Sequence, residues 1–117
     1  MAVNLISITT LIRARLYQGQ PGTTVSTVYT TPASTDVAVK TILLCNTTAL
    51  VATVTVSVVP SGGTAGITNQ VLSALSVAGN STITVDTTIH MTSGDFLAAL
   101  QGTASAVTVT VSGETYA

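Results

Sequence analysis

Val51-Ala52-Thr53-Val54-Thr55-Val56-Ser57-Val58-Val59 alternates without a break. Ala52, Val54, Val56 and Val58 share one parity, and Thr53, Thr55 and Ser57 the other. That is the period of a half-buried β-strand, because successive side chains leave opposite faces of the pleat. Valine and threonine are β-branched and sit well on such a surface. The pattern returns at Ser81-Thr82-Ile83-Thr84-Val85 and at Ala106-Val107-Thr108-Val109-Thr110-Val111-Ser112. These stretches predict antiparallel strands with one wet face. Val54, Val56, Val58, Ile83, Val85, Val107, Val109 and Val111 are expected inside, with Thr53, Thr55, Thr108 and Thr110 more exposed.

Working outward, turn signals fall about every ten residues, the spacing of a sandwich or barrel. Gln18–Gly22 breaks the chain with a Pro-Gly turn. Thr23–Thr31 reads as a short strand ended by Pro32, and Asp36–Cys45 as a longer one. Its second half, Ile42-Leu43-Leu44-Cys45, is apolar on both faces, which predicts a cover on both sides. Asn46–Ala49 reads as a turn and Pro60–Gly66 as a flexible loop. Ile67–Val77 is expected as an irregular strand. Ser81–Val85 and Thr88–Met91 read as two short strands, followed by Phe96–Leu100. The expectation is an all-β, antiparallel two-sheet β-sandwich, jelly-roll-like, of about eight strands. Residues 1–22 are read as an extended N-terminal arm and 23–117 as the sandwich domain.

Composition narrows the class. The chain has 117 residues, enough for one domain with its own two-layer core. Apolar residues make up 46% and mean hydropathy is +0.64, so core material is ample. Charged residues are only 6%, against roughly 25% in an ordinary globular domain. Hydroxyl-coated faces hydrogen-bond water but do not repel a neighbour, so this composition points to a protein packed against copies of itself or a larger assembly. The net charge of −1 gives no basic field for nucleic acid. Four aromatic residues, Tyr17, Tyr29, Phe96 and Tyr116, form no stacking cluster in sequence. The N-terminal residues lack the positive start of a signal peptide, and no apolar run is long enough to cross a bilayer as a helix.

Chemistry-bearing residues are few. His90 is the sole histidine, with Asp86 four residues before it. On a strand the two share a face about 13 Å apart, too far for a shared proton or metal. No Gly-x-Ser-x-Gly elbow occurs, and Ser61-Gly62-Gly63-Thr64 lacks the lysine of a phosphate loop. Asp95 and Glu114 follow glycines and read as turn residues. Asn46-Thr47-Thr48 and Asn80-Ser81-Thr82 match the glycosylation pattern, which chance explains in so threonine-rich a chain. Cys45 has no intramolecular partner and is expected as a free, buried thiol. No enzyme activity, cofactor, metal, nucleic acid or membrane is expected.

Tyr29-Thr30-Thr31-Pro32-Ala33, the apolar strand ending Leu44-Cys45-Asn46-Thr47-Thr48, Ser93-Gly94-Asp95 and the terminal Val111-Ser112-Gly113-Glu114 together resemble small β-sandwich virion proteins of tailed bacteriophages. The likeness covers residues 28–115 and rests on turn and strand grammar. It implies a non-enzymatic structural protein of the virion, assembled in the host cytoplasm. Capsid decoration (cement) is the first choice. The implied partners are the major capsid protein and further copies of the chain, with a trimer first. The apolar arm supplies the expected interface: Leu5, Ile6, Ile8, Leu11, Ile12, Arg13, Arg15 and Leu16. Burying one such aliphatic side chain is worth roughly 1.5–3 kcal/mol, a gain a partner could recover. The alternative is a tail or fibre module that binds host-surface glycan, with Tyr17, Tyr29, Tyr116, Gln70 and Gln101 as candidates.

Overall fold

The computed structural model describes residues 10–117. All regular structure among them is strand. In chain order the strands are β1 (Leu11–Gly19), β2 (Ser26–Thr30), β3 (Asp36–Asn46), β4 (Ala52–Val59), β5 (Gln70–Val77), β6 (Thr82–Met91), β7 (Phe96–Gln101) and β8 (Val107–Tyr116). They form two four-stranded sheets, β1-β8-β3-β6 (sheet A) and β2-β7-β4-β5 (sheet B). β1 pairs with β8, β2 with β7, β3 with β6 and β4 with β5, every pair antiparallel. The chain is therefore one long hairpin ribbon, folded so that β3·β8 and β4·β7 complete the sheets. This is the jelly-roll arrangement.

The inward valines make the core. Val54, Val56, Val107, Val109 and Val111 are buried with Val37, Val39, Ile42, Leu44, Met91 and Leu97 between the sheets. Thr53, Thr55, Thr108 and Thr110 are half-buried on the outer faces. Three expected core positions are shallower. Ile83 and Val85 are only half-buried because β6 is an edge strand, with no neighbour on one side among the described residues. Val58 is half-buried too, whereas Val59, on the opposite face, is fully buried. The 60–69 loop folds back over that face, bringing Gly63 against Val59 and hydrogen-bonding Asn69 O to Val58 N.

Other expectations shift at their ends. Ser81–Val85 and Thr88–Met91 are parts of the single strand β6, because Asp86 and Thr87 continue the alternation. β8 runs through Gly113 and Glu114, so Glu114 is a strand residue. Gly113 is required there: a Cβ would overlap the carbonyl oxygen of Ala38 on β3. Of the segment assigned to the arm, residues 11–19 form β1, hydrogen-bonded to β8 as the edge of sheet A. Leu5, Ile6 and Ile8 lie outside the described residues.

Two buried amides tie the sheets together at one end. Asn46, closing β3, donates to Leu50 O and to Val77 O at the end of β5, and its Oδ1 accepts from Thr48 N and Oγ1. Gln101, closing β7, donates to Pro21 O and accepts from Ala106 N and Val107 N at the start of β8. Asn46 and Val107 are register partners, so both staples belong to the same end of the sandwich. With its amide so engaged and the residue 1% exposed, Asn46 cannot accept a glycan in this fold.

Candidate functional site

The register of sheet A lays its outward side chains in rows. One row reads Arg13, Glu114, Ala38, His90; the next reads Arg15, Ser112, Thr41, Asp86. Lys40 is the extra residue of a bulge in β3, where pairing with β8 steps from Val39↔Gly113 to Thr41↔Ser112. Bulges re-aim side chains. Here Lys40 joins Arg13, Arg15 and Glu114 around an open depression of about 380 Å³, floored by Ala14, Ser112 and Gly113. The chain has three Lys and Arg residues in all, and all three stand at this depression.

Glu114 is the carboxylate at the rim. Arg13 Nε lies 3.8 Å from it and the Tyr116 hydroxyl donates to it at 2.7 Å. That hydrogen bond, with some burial and the Glu114 charge, raises the Tyr116 pKa. Arg15 donates to Gln18 Oε1 at 3.3 Å. Neither Arg15 nor Lys40 forms an ion pair among the described residues. Farther along the same face, Gln18 and Gln20 donate to Thr110 and Thr108, and Leu43 and Cys45 lie between threonine rows.

Sheet B presents the reverse. Its four strands contain no Asp, Glu, Lys, Arg or His. Its outer face carries Thr27, Thr53, Thr55 and Ser57 with Val25, Phe96, Ala98 and Leu100. The 60–69 loop lies over part of it, leaving a shallow groove of about 210 Å³ between Val25, Thr64, Ala65 and Phe96.

The expected interface residues separate in the structure. Leu11 and Ile12 are exposed, at 55% and 51%, and Arg13 and Arg15 reach solvent from the outer face. Leu16 does not join them. It is the bulged residue of β1, and both it and Tyr17 pack against the core. The five glycan candidates are likewise scattered. Gln101 is a fully buried staple, Gln70 is half-buried at the start of the edge strand β5, Tyr17 and Tyr29 pack on the core with burial raising both pKa values, and Tyr116 is held by Glu114.

Cys45 is free but half-buried on the outer face of β3, not enclosed, because nothing among the described residues covers that side of Ile42–Cys45. His90 and Asp86 are both exposed on the outer face of β6. No group of three or more His, Cys, Asp or Glu with metal-binding geometry occurs among the described residues. Asp95 has a structural task in the turn from β6 to β7, accepting from Thr92 N, Thr92 Oγ1 and Ser61 N. Burial pushes its pKa up, but these hydrogen bonds outweigh it and the net shift is downward.

Lys40 is the member of the depression that sequence reading missed. Its strand alternates up to that point, and only the bulge moves it beside residues of β1 and β8. Comparison with protein-family models, curated proteins and solved structures gave no match.

Proposed function

We propose that the chain is a non-enzymatic structural component of a virion, with decoration of a tailed-phage capsid as the first assignment. It acts as a homo-oligomer, with a trimer the first state to look for. The observation that carries this reading is the charge-free sheet B. Charged side chains are depleted from interface cores because each must be desolvated on contact. A sheet face with none, set with Val25, Phe96 and Leu100, meets an identical face without that cost or like-charge repulsion. The eight-stranded jelly roll is consistent with the reading, since viral coat domains use it. Lectins and cupins use it too, so the fold alone does not choose between functions. In this reading copies meet through sheet B, while Leu11, Ile12 and the cationic face of sheet A remain for the capsid.

The test is to purify virions of the phage that encodes the chain. Quantitative mass spectrometry then gives its copy number, and antibody labelling under the electron microscope gives its position. Many copies spread over the capsid are expected. A few copies at the tail would favour the adhesion reading, and absence from purified virions would remove both.

A further inference from the structure

We propose that the depression framed by Arg13, Arg15 and Lys40 binds the carboxylates of an acidic peptide segment on a partner protein. The inference rests on the charges of this face, not on the partner being a capsid.

Three observations carry it. First, the chain places every Lys and Arg it has around one depression, although they come from two strands separated by β8. Scattered solubilising charges would not converge in this way. Second, the depression is shaped for access. Its floor is Ala14, Ser112 and Gly113, while the long cationic side chains stand at its rim. Gly113 cannot carry a side chain there without striking the Ala38 carbonyl, and the bulge at Lys40 brings the third cation into the ring. Third, the cations outnumber their partners. Glu114 is shared by Arg13 and Tyr116, which leaves Arg15 and Lys40 without a carboxylate among the described residues.

The chemistry selects the ligand. A guanidinium presents paired N–H groups that match the two oxygens of a carboxylate, and an ammonium adds a point charge. The Ser112 hydroxyl offers a further donor from the floor. A nucleic acid fits less well. Glu114 stands at the rim, and Asp86 lies on the same face two strands from Ser112, on the order of 10 Å away. A continuous phosphate backbone leaving the depression would meet these acids. A short peptide with two carboxylates satisfies Arg15 and Lys40, which Glu114 does not pair, and ends before it reaches Asp86.

Fluorescence anisotropy of labelled hexaglutamate with the purified full chain tests the proposal. Saturable binding at about 20 mM salt is expected, weakened roughly tenfold at about 200 mM because exposed charges are screened. Arg15→Gln with Lys40→Gln should weaken binding about tenfold or more. A second variant adds Thr64→Lys and Thr68→Lys in the exposed 60–69 loop, restoring net charge away from the depression. That variant should remain weak. Recovery of binding there would show that only net charge matters and would overturn the proposal. So would unchanged affinity in the double Gln variant, or equally tight binding of a thymidine hexanucleotide. Circular dichroism of each variant confirms that the fold is retained. Because the assay uses isolated protein and peptide, its failure leaves the virion measurement intact, and the converse also holds.

Discussion

The two sheets are built from the same valine–threonine alternation, yet their outer faces differ in kind. Sheet A carries Arg13, Arg15, Asp36, Lys40, Asp86, His90 and Glu114. Sheet B carries none of these residue types in its strands. The buried faces explain nothing of this, since both supply valine, leucine and alanine to one core. Fold and surface are thus specified separately. Inward parity makes the sandwich, and outward parity is free to be charged on one layer and neutral on the other. If the outer faces serve contact and the interior serves stability, substitutions should sort accordingly.

The largest expected loss lies between the faces, at the staple that joins the sheets. Asn46→Ala removes the bonds to Leu50 O, Val77 O and Thr48 N; the buried Val77 carbonyl loses this donor, while Leu50 O keeps the Thr48 hydroxyl. An unsatisfied buried group costs about 1–3 kcal/mol and each further hydrogen bond about 0.5–1.5 kcal/mol, so a total of about 4 kcal/mol is expected from urea unfolding. A loss below about 1 kcal/mol would mean that the sheets are held by the apolar core alone.

Gly113→Ala comes next. It damages sheet A from within, because its Cβ would fall on the Ala38 carbonyl where β8 pairs with β3. Strands must separate locally to admit it, at a cost of about 2–3 kcal/mol by thermal or urea unfolding. Hydrogen exchange should show the loosening at β3 and β8 and leave β4 and β7 protected. Uniform loosening of both sheets would contradict their separate construction.

These two positions also mark where sequence reading stopped. The strands were legible because alternation is local: β3, β4 and β7 fall where the pattern places them. Which strand pairs with which was not legible, because β4, β6 and β8 carry nearly the same residues and nothing local distinguishes a partner. Asn46 reads as a turn residue, and its tie to Val77 exists only after the ribbon folds over. Glu114 reads as a turn residue because Gly113 precedes it, yet that glycine serves a close approach between the paired strands β8 and β3. Arg13 and Arg15 were visible as a pair on one strand face. Lys40 joins them only through the β1-β8-β3 order and a bulge, neither of which leaves a mark in the sequence.

A smaller effect is expected at Asp95, an acid on neither face. Its carboxylate caps the turn that carries the chain from sheet A to sheet B and accepts from Ser61 N in the loop that follows β4. Its folded-state pKa is lowered, so the charged form favours folding. That contribution is complete above the unfolded value of about 3.9 and is lost as pH falls through the lower folded value. Asp95→Ala should cost about 1 kcal/mol at neutral pH and flatten the decline in stability below about pH 4. An unchanged acid profile would assign that decline to the other carboxyl groups.

The smallest stability effects are expected on the two outer faces, and there the comparison is sharpest. Arg13 lies 3.8 Å from Glu114 with its side chain 88% exposed, so solvent screens the pair. Exposed pairs are worth about 0–1 kcal/mol, and Arg13→Gln should fall below half of that. Thr27→Lys places a charge on sheet B at an exposed position and should alter stability by less than about 0.5 kcal/mol. Their contact properties should diverge. Arg13→Gln should weaken acidic-peptide binding and leave self-association, read by light scattering, unchanged. Thr27→Lys should weaken self-association by about tenfold, through desolvation of a charge at a face that has none, and leave peptide binding unchanged. If both variants affect both assays alike, the two faces are not distinct surfaces. If Arg13→Gln costs more than about 1 kcal/mol in unfolding, the charges of sheet A support the fold itself, and their convergence needs no ligand to explain it.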